Sequence, residues 1–126
     1  MKARFASILM LFLVCPAHAE EAYQATAKVW DAMGRKNWDA AIAQANRVIR
    51  IWGAQARRTN DQLKKYAPAK DAKKYGNLNE VGVSLLLKGD ALSKKGDKAA
   101  AKVTYQVLLD QYTYALSLIH ISEPTR

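Results

Sequence analysis

Imidazole and thiol side chains are the groups most able to act as nucleophiles, general bases or zinc ligands near neutral pH. This 126-residue chain holds two histidines, His18 and His120, and one cysteine, Cys15. His120 lies in the terminal stretch "LSLIHISEPTR", where a search for a catalytic acid or base would begin. The other groups suited to acid–base work are carboxylates. Glu80, Asp90 and Asp97 are the nearest candidates for a glycosidase-type pair, because such pairs converge in space rather than in sequence. Each of the three also reads as a helix-surface or capping residue. The chain has no Asp-x-Asp ladder and no glycine-rich phosphate loop.

Both ends of the chain read as separate from the domain between them. "MKAR" gives a positive start, "FASILMLFLVC" is an apolar run shorter than the roughly 20 residues a bilayer requires, and Ala17 and Ala19 are small residues at the two sites a signal peptidase reads. Residues 1–19 therefore read as a secretory signal peptide cut between Ala19 and Glu20. That places the mature chain in the periplasm or outside the cell, with no transmembrane anchor left after cleavage. Val14 and Pro16 around Cys15 argue against a lipoprotein anchor. At the other end, Leu116–Arg126 alternates briefly in apolar character and breaks at Pro124. Its eleven residues resemble a translated transposase adapter of the kind used in sequencing libraries. That resemblance implies a non-native tail after a native domain, 20–115, truncated at Ala115. The tail is then expected to pack poorly, with Leu118, Ile119 and Ile121 exposed or loosely seated and His120 making no catalytic contact.

Between these ends there is neither histidine nor cysteine. Disulfides, thiol nucleophiles, histidine bases and ordinary zinc sites are therefore excluded from residues 20–115, and no cofactor or metal is expected. The charge is concentrated in one segment. From Arg47 to Lys74 nine basic residues face two acids, while the rest of 20–115 carries eight of each. Arg47, Arg50, Arg57, Arg58, Lys64 and Lys65 fall on one side of a helix. A stripe of this kind is either a solvated face or an anion-binding one.

The elements that must position any site are helices. Gly and Pro are sparse from Glu20 onward, and apolar residues recur at intervals of three and four, which predicts an all-α fold. The first helix is expected over about Glu21–Gly34, burying Tyr23, Ala27, Trp30 and Met33. Asn37 is placed to cap a second, long helix through Gly53 to Tyr66, ended by Pro68. Its stripe is Trp38, Ala41, Ile42, Ala45, Val48, Ile49 and Trp52. The segment "PAKDAKKYGN" reads as a connector, Leu78–Lys95 as a third helix, and a fourth follows the N-cap Asp97.

Gly89, Leu92, the Gly96–Asp97 turn, Ala101, Tyr105 and Leu108 resemble a tetratricopeptide repeat. An earlier, more divergent copy carries Trp38, Ala41 and Ala45, with Val29 and Lys36 where the later copy has Gly89 and Gly96. The two copies stand 60 residues apart, against about 34 in that family; the extended second helix and basic connector make up the difference. The resemblance implies antiparallel helix pairs forming part of a right-handed α-solenoid. It also implies a scaffold that binds a protein or peptide partner in the cell envelope without chemistry of its own. Ligand-facing positions on the first helix of each pair would be Gln24, Lys28, Asn79, Ser84 and Lys88. Two other classes stay open. One is an anionic cell-wall or surface glycan held by Arg57, Arg58, Lys64 and Lys65. The other is a glycan hydrolase or its accessory subunit. Nucleic acid is disfavoured, because export separates the chain from the genome and stacking aromatics do not interleave the basic residues.

Overall fold

The computed structural model describes residues 20–119. The leader, His120, Ile121 and Pro124 lie outside the described residues, and so do the expectations that rest on them. Within the described residues the chain is all-helical: α1 (Ala22–Gly34), α2 (Trp38–Gln62), α3 (Gly76–Lys95) and α4 (Lys98–Gln111), with 3-10 turns at Ala69–Asp71 and Thr113–Ser117.

Two turns with one geometry organise the fold. After α1, Lys36 takes a left-handed conformation with φ 58°, and the Asn37 N–H donates back to the Ala32 carbonyl at 2.9 Å. After α3, Gly96 takes φ 96°, and the Asp97 N–H donates to the Leu92 carbonyl at 2.9 Å. Such six-residue closures satisfy the last carbonyls of a helix when the next residue turns left-handed. The residue that ends each turn also starts the next helix. The Asn37 side chain accepts the Ala40 N–H at 3.2 Å, and the Asp97 carboxylate accepts that of Ala100 at 3.1 Å. The 60-residue offset read from the sequence is thus repeated in backbone conformation and in hydrogen bonding.

α3 is the central helix and touches the other three. Leu78, Val81, Val83, Leu85, Leu87 and Ala91 are buried around its circumference, as befits a helix surrounded by others. Two of its glycines admit neighbours that no side chain would. A Cβ on Gly89 would clash with the Tyr105 ring at Cε1, 2.7 Å from Cδ1 and Cζ. One on Gly82 would stand 2.5 Å from the Ala115 Cβ. On α2 the predicted stripe holds: Ala41, Ala45 and Val48 are fully buried, and Trp38, Ile42, Ile49 and Trp52 pack partly buried against the core. Gly53 lies inside the helix, where its carbonyl accepts the buried Tyr112 hydroxyl at 3.1 Å.

Three expectations are corrected. α1 buries Ala22, Ala25, Thr26, Val29 and Ala32, whereas Tyr23 is 62 % exposed and Ala27 is also exposed. The small residues win because they let α1 approach α2 and α3 closely, leaving Trp30 and Met33 at the edge of the contact. α2 ends at Gln62 rather than Tyr66. Pro68 has no N–H to offer the Lys64 carbonyl and holds Ala67 out of the helical region, so the last expected turn has little to close it. The third concerns the tail, whose first residues pack well. Leu118 is fully buried and Ile119 rests against the core, with its Cδ1 3.4 Å from the position of a Gly82 Cβ, although Leu116 is exposed. Burying a leucine side chain stabilises by about 1.5–3 kcal/mol. The small residues of α3 leave a groove that an apolar residue can fill whatever its origin.

Candidate functional site

A cleft of about 940 Å³ lies between α1, the end of α2, the connector and the start of α3. α1 contributes Glu21, Tyr23, Thr26, Ala27 and Trp30, residues that share one side of a helix because they recur at three and four. α2 contributes Gln55 and Thr59. The connector and the first turns of α3 bring Lys73, Lys74, Tyr75, Asn77, Asn79 and Glu80. The Asn77 side-chain amide donates to the Gln55 side-chain carbonyl at 2.7 Å and ties α3 to α2 across this space.

Three aromatic residues, Tyr23, Trp30 and Tyr75, line the cleft together with hydrogen-bonding groups that lack partners. Asn79 is 4 % exposed, and its Oδ1 accepts nothing. The Trp30 indole N–H is buried without an acceptor. Next to Asn79 in the chain, Glu80 is half-buried, and burial raises its carboxyl pKa while the Thr26 hydroxyl acts the other way. That hydroxyl donates to the Ala22 carbonyl at 3.1 Å. No basic side chain forms an ion pair with Glu80 among the described residues. Buried polar groups without partners cost roughly 1–3 kcal/mol each. On the rim, the Lys74 ammonium sits 5.4 Å from the Tyr75 ring centroid.

The residues singled out from sequence distribute unevenly. Of the five expected to face a ligand, only Asn79 lines the cleft. Gln24 accepts the Glu21 N–H at 2.8 Å in a capping box, and Lys28 pairs with Glu20 at 3.0 Å. Lys28, and after it Arg47, lowers the pKa of that carboxylate. Ser84 is fully buried in α3 and faces the core, which corrects its placement as a ligand contact. Lys88 is half-buried away from the cleft lining. On the basic side of α2, Arg57 donates to the Gln111 side chain at 3.1 Å and Arg58 is exposed. Lys64 and Lys65 lie beyond the end of the helix at Gln62, so the expected stripe does not run along one helix. Among the described residues Arg58, Lys64 and Lys65 bond to no acid.

The repeat positions do come together. Ala101 and Leu108 are buried with Gly89, Leu92 is half-buried, and the Tyr105 hydroxyl reaches the Asp90 carboxylate. Burial, and then Asp90, push that phenol up to about 12. Asp90 is therefore engaged at the α3–α4 contact and Asp97 at the head of α4, so neither reaches the cleft where Glu80 sits. The other carboxylate lining the cleft is Glu21, the N-cap of α1. No group of three or more His, Cys, Asp or Glu that could hold a metal ion occurs among the described residues. Their helices include none long and apolar enough to cross a membrane. Thr26, Trp30 and Tyr75 were not marked as site residues by the sequence. Trp30 was read as core, and the signal that separates it is its unpartnered indole N–H, which only packing reveals.

Comparison with protein-family models, with curated proteins and with solved structures gave no match.

Proposed function

We propose that this chain is an exported, tetratricopeptide-like helical scaffold that binds a peptide segment of another envelope protein in the cleft between α1 and α3. The supporting observation is the cleft itself: about 940 Å³, with Tyr23, Trp30 and Tyr75 on its walls and the Glu80 carboxylate free of any ion pair among the described residues. Sites of this size and make-up, apolar with a few convergent polar groups, are the usual form of ligand pockets. The two matching turns, with Lys36 and Gly96 left-handed and Asn37 and Asp97 capping, support the repeat reading. In this reading the chain performs no chemistry, and its partner supplies the activity.

The test is selection of a random peptide library on the full chain, followed by titration of the selected peptides against the parent and Trp30→Ala. Selected peptides should compete with one another and weaken at least tenfold on Trp30→Ala. Enrichment of no sequence, or binding indifferent to that change, overturns the reading.

A second reading, an anionic cell-wall or surface glycan at the end of α2 and the segment after it, draws on Arg58, Lys64 and Lys65, which are exposed and form no ion pair among the described residues. Retention on a polyanionic column should then fall steeply with salt and with glutamine at all three positions.

A further inference from the structure

Resting on the peptide-binding reading, we infer that the cleft selects an arginine side chain of the bound segment, with Glu80 as the group that recognises it. Glu80 is an acceptor in the first turns of α3 and lines the cleft. Among the described residues Glu80 has no cationic partner, and only the Thr26 hydroxyl serves it. A half-buried carboxylate without a cationic partner, lining a cleft with aromatic walls, calls for a positively charged ligand group that donates N–H bonds. Guanidinium offers five donors in a rigid plane and stacks on aromatic faces, and Tyr23, Trp30 and Tyr75 supply such faces on the walls. Ammonium has the charge but neither the planar fork nor the stacking face. Tyr75 already has a cation, Lys74, against its ring. Lys73 and Lys74 are exposed, so their repulsion of an incoming cation is screened by solvent and salt.

The probes are acetyl-arginine-amide, acetyl-lysine-amide and acetyl-citrulline-amide, the last keeping the arginine shape without the charge. Each is titrated into the full chain while amide and indole N–H resonances are followed by NMR. Acetyl-arginine-amide should shift the Trp30 indole and Asn79 side-chain resonances saturably, with the lysine and citrulline probes at least tenfold weaker, in line with loss of a charged hydrogen bond. Glu80→Gln should abolish the preference for arginine over citrulline. Tyr23→Ser, at an exposed position that leaves the core intact, should weaken the arginine probe alone. Peptide pools with Arg, Lys or citrulline fixed at one position separate the two readings. Pools that bind the cleft equally well leave the peptide reading standing and overturn the arginine one, whereas pools that all fail to bind overturn both. Citrulline binding as tightly as arginine, or arginine binding unchanged by Glu80→Gln and Tyr23→Ser, also overturns it.

Discussion

Replacing Gly89 with alanine sets helix propensity against packing, and the structure supplies the numbers for both. Gly89 lies well inside α3, where alanine is favoured over glycine by about 1 kcal/mol. An alanine Cβ there would meet the Tyr105 ring at Cε1 and stand 2.7 Å from Cδ1 and Cζ, closer than real atoms pack. The ring has to swing away, which gives up the Tyr105 hydroxyl bond to Asp90. A bond to a charged acceptor is worth about 1.5–3 kcal/mol, and the half-exposed pair belongs at the low end. Overpacking adds about 1–3 kcal/mol. The balance is a net loss of about 2 kcal/mol, large enough to lower the urea midpoint by about 1–2 M. The assay is urea unfolding followed by far-ultraviolet circular dichroism, in the parent and in a Tyr105→Ala background. In the second background the obstacle is gone, so the sign should reverse and Gly89→Ala should become neutral or stabilising. Gly76→Ala, where a Cβ meets nothing within 4 Å, is the control and should not destabilise. A raised midpoint for Gly89→Ala in the parent, or an undiminished loss in Tyr105→Ala, would refute the argument.

Other consequences follow from the same geometry. Lys36→Gly relieves a left-handed side-chain residue at φ 58° and should raise stability by about 1 kcal/mol, while Gly96→Ala, at φ 96°, should lower it by a similar amount; opposite shifts in urea midpoint check both. Tyr112→Phe removes the buried hydroxyl bond to the Gly53 carbonyl and should cost about 1 kcal/mol in the same assay with no change in helix content. Burial raises the Glu80 carboxyl above its ordinary 4.5, so over the window from there up to the raised value the folded chain holds a proton that the unfolded chain has released. This contribution to stability is present at lower pH and is lost as pH rises through that window. Glu80→Gln should therefore gain on the parent between pH 4 and pH 7, and a difference in urea midpoint that stays constant over that range contradicts the assignment.

Much of this fold could be read in the sequence because local signals and packing agree there. Asn37 and Asp97 are good N-caps, Gly96 suits a left-handed turn, and the α2 stripe of Ala41, Ala45 and Val48 keeps helical spacing, so each element has its own reason to form where it does. The errors fall where size and polarity point in different directions. Tyr23 and Trp30 look like the apolar side of α1 when residues are weighed by bulk. The helix nevertheless turns its alanines and Val29 inward, because a close approach to α3 satisfies more surface than two large rings at a distance. The end of α2 went astray for a related reason. A stripe can be continued on paper through Leu63 to Tyr66, while the missing N–H of Pro68 acts four residues earlier, on the carbonyl of Lys64.

The cleft was harder to see, and the inward rotation of α1 explains why. Once Ala22, Ala25 and Val29 face the core, Tyr23 and Ala27 are turned outward and Trp30 packs half-buried at the margin, in part as its reading as core expected; there the connector brings Lys73, Lys74 and Tyr75 to meet them. The candidate site is therefore a by-product of the same packing choice that the pattern missed, and the two had to be found together. Glu80 was noticed only as a carboxylate in search of a second one, with Asp90 and Asp97 as its candidates. Those two are held by Tyr105 and by the head of α4, so neither shares the cleft with Glu80. The carboxylate that does is Glu21, which caps α1. With aromatic rings on the same walls and no ion pair of its own among the described residues, Glu80 is suited to receive a cation.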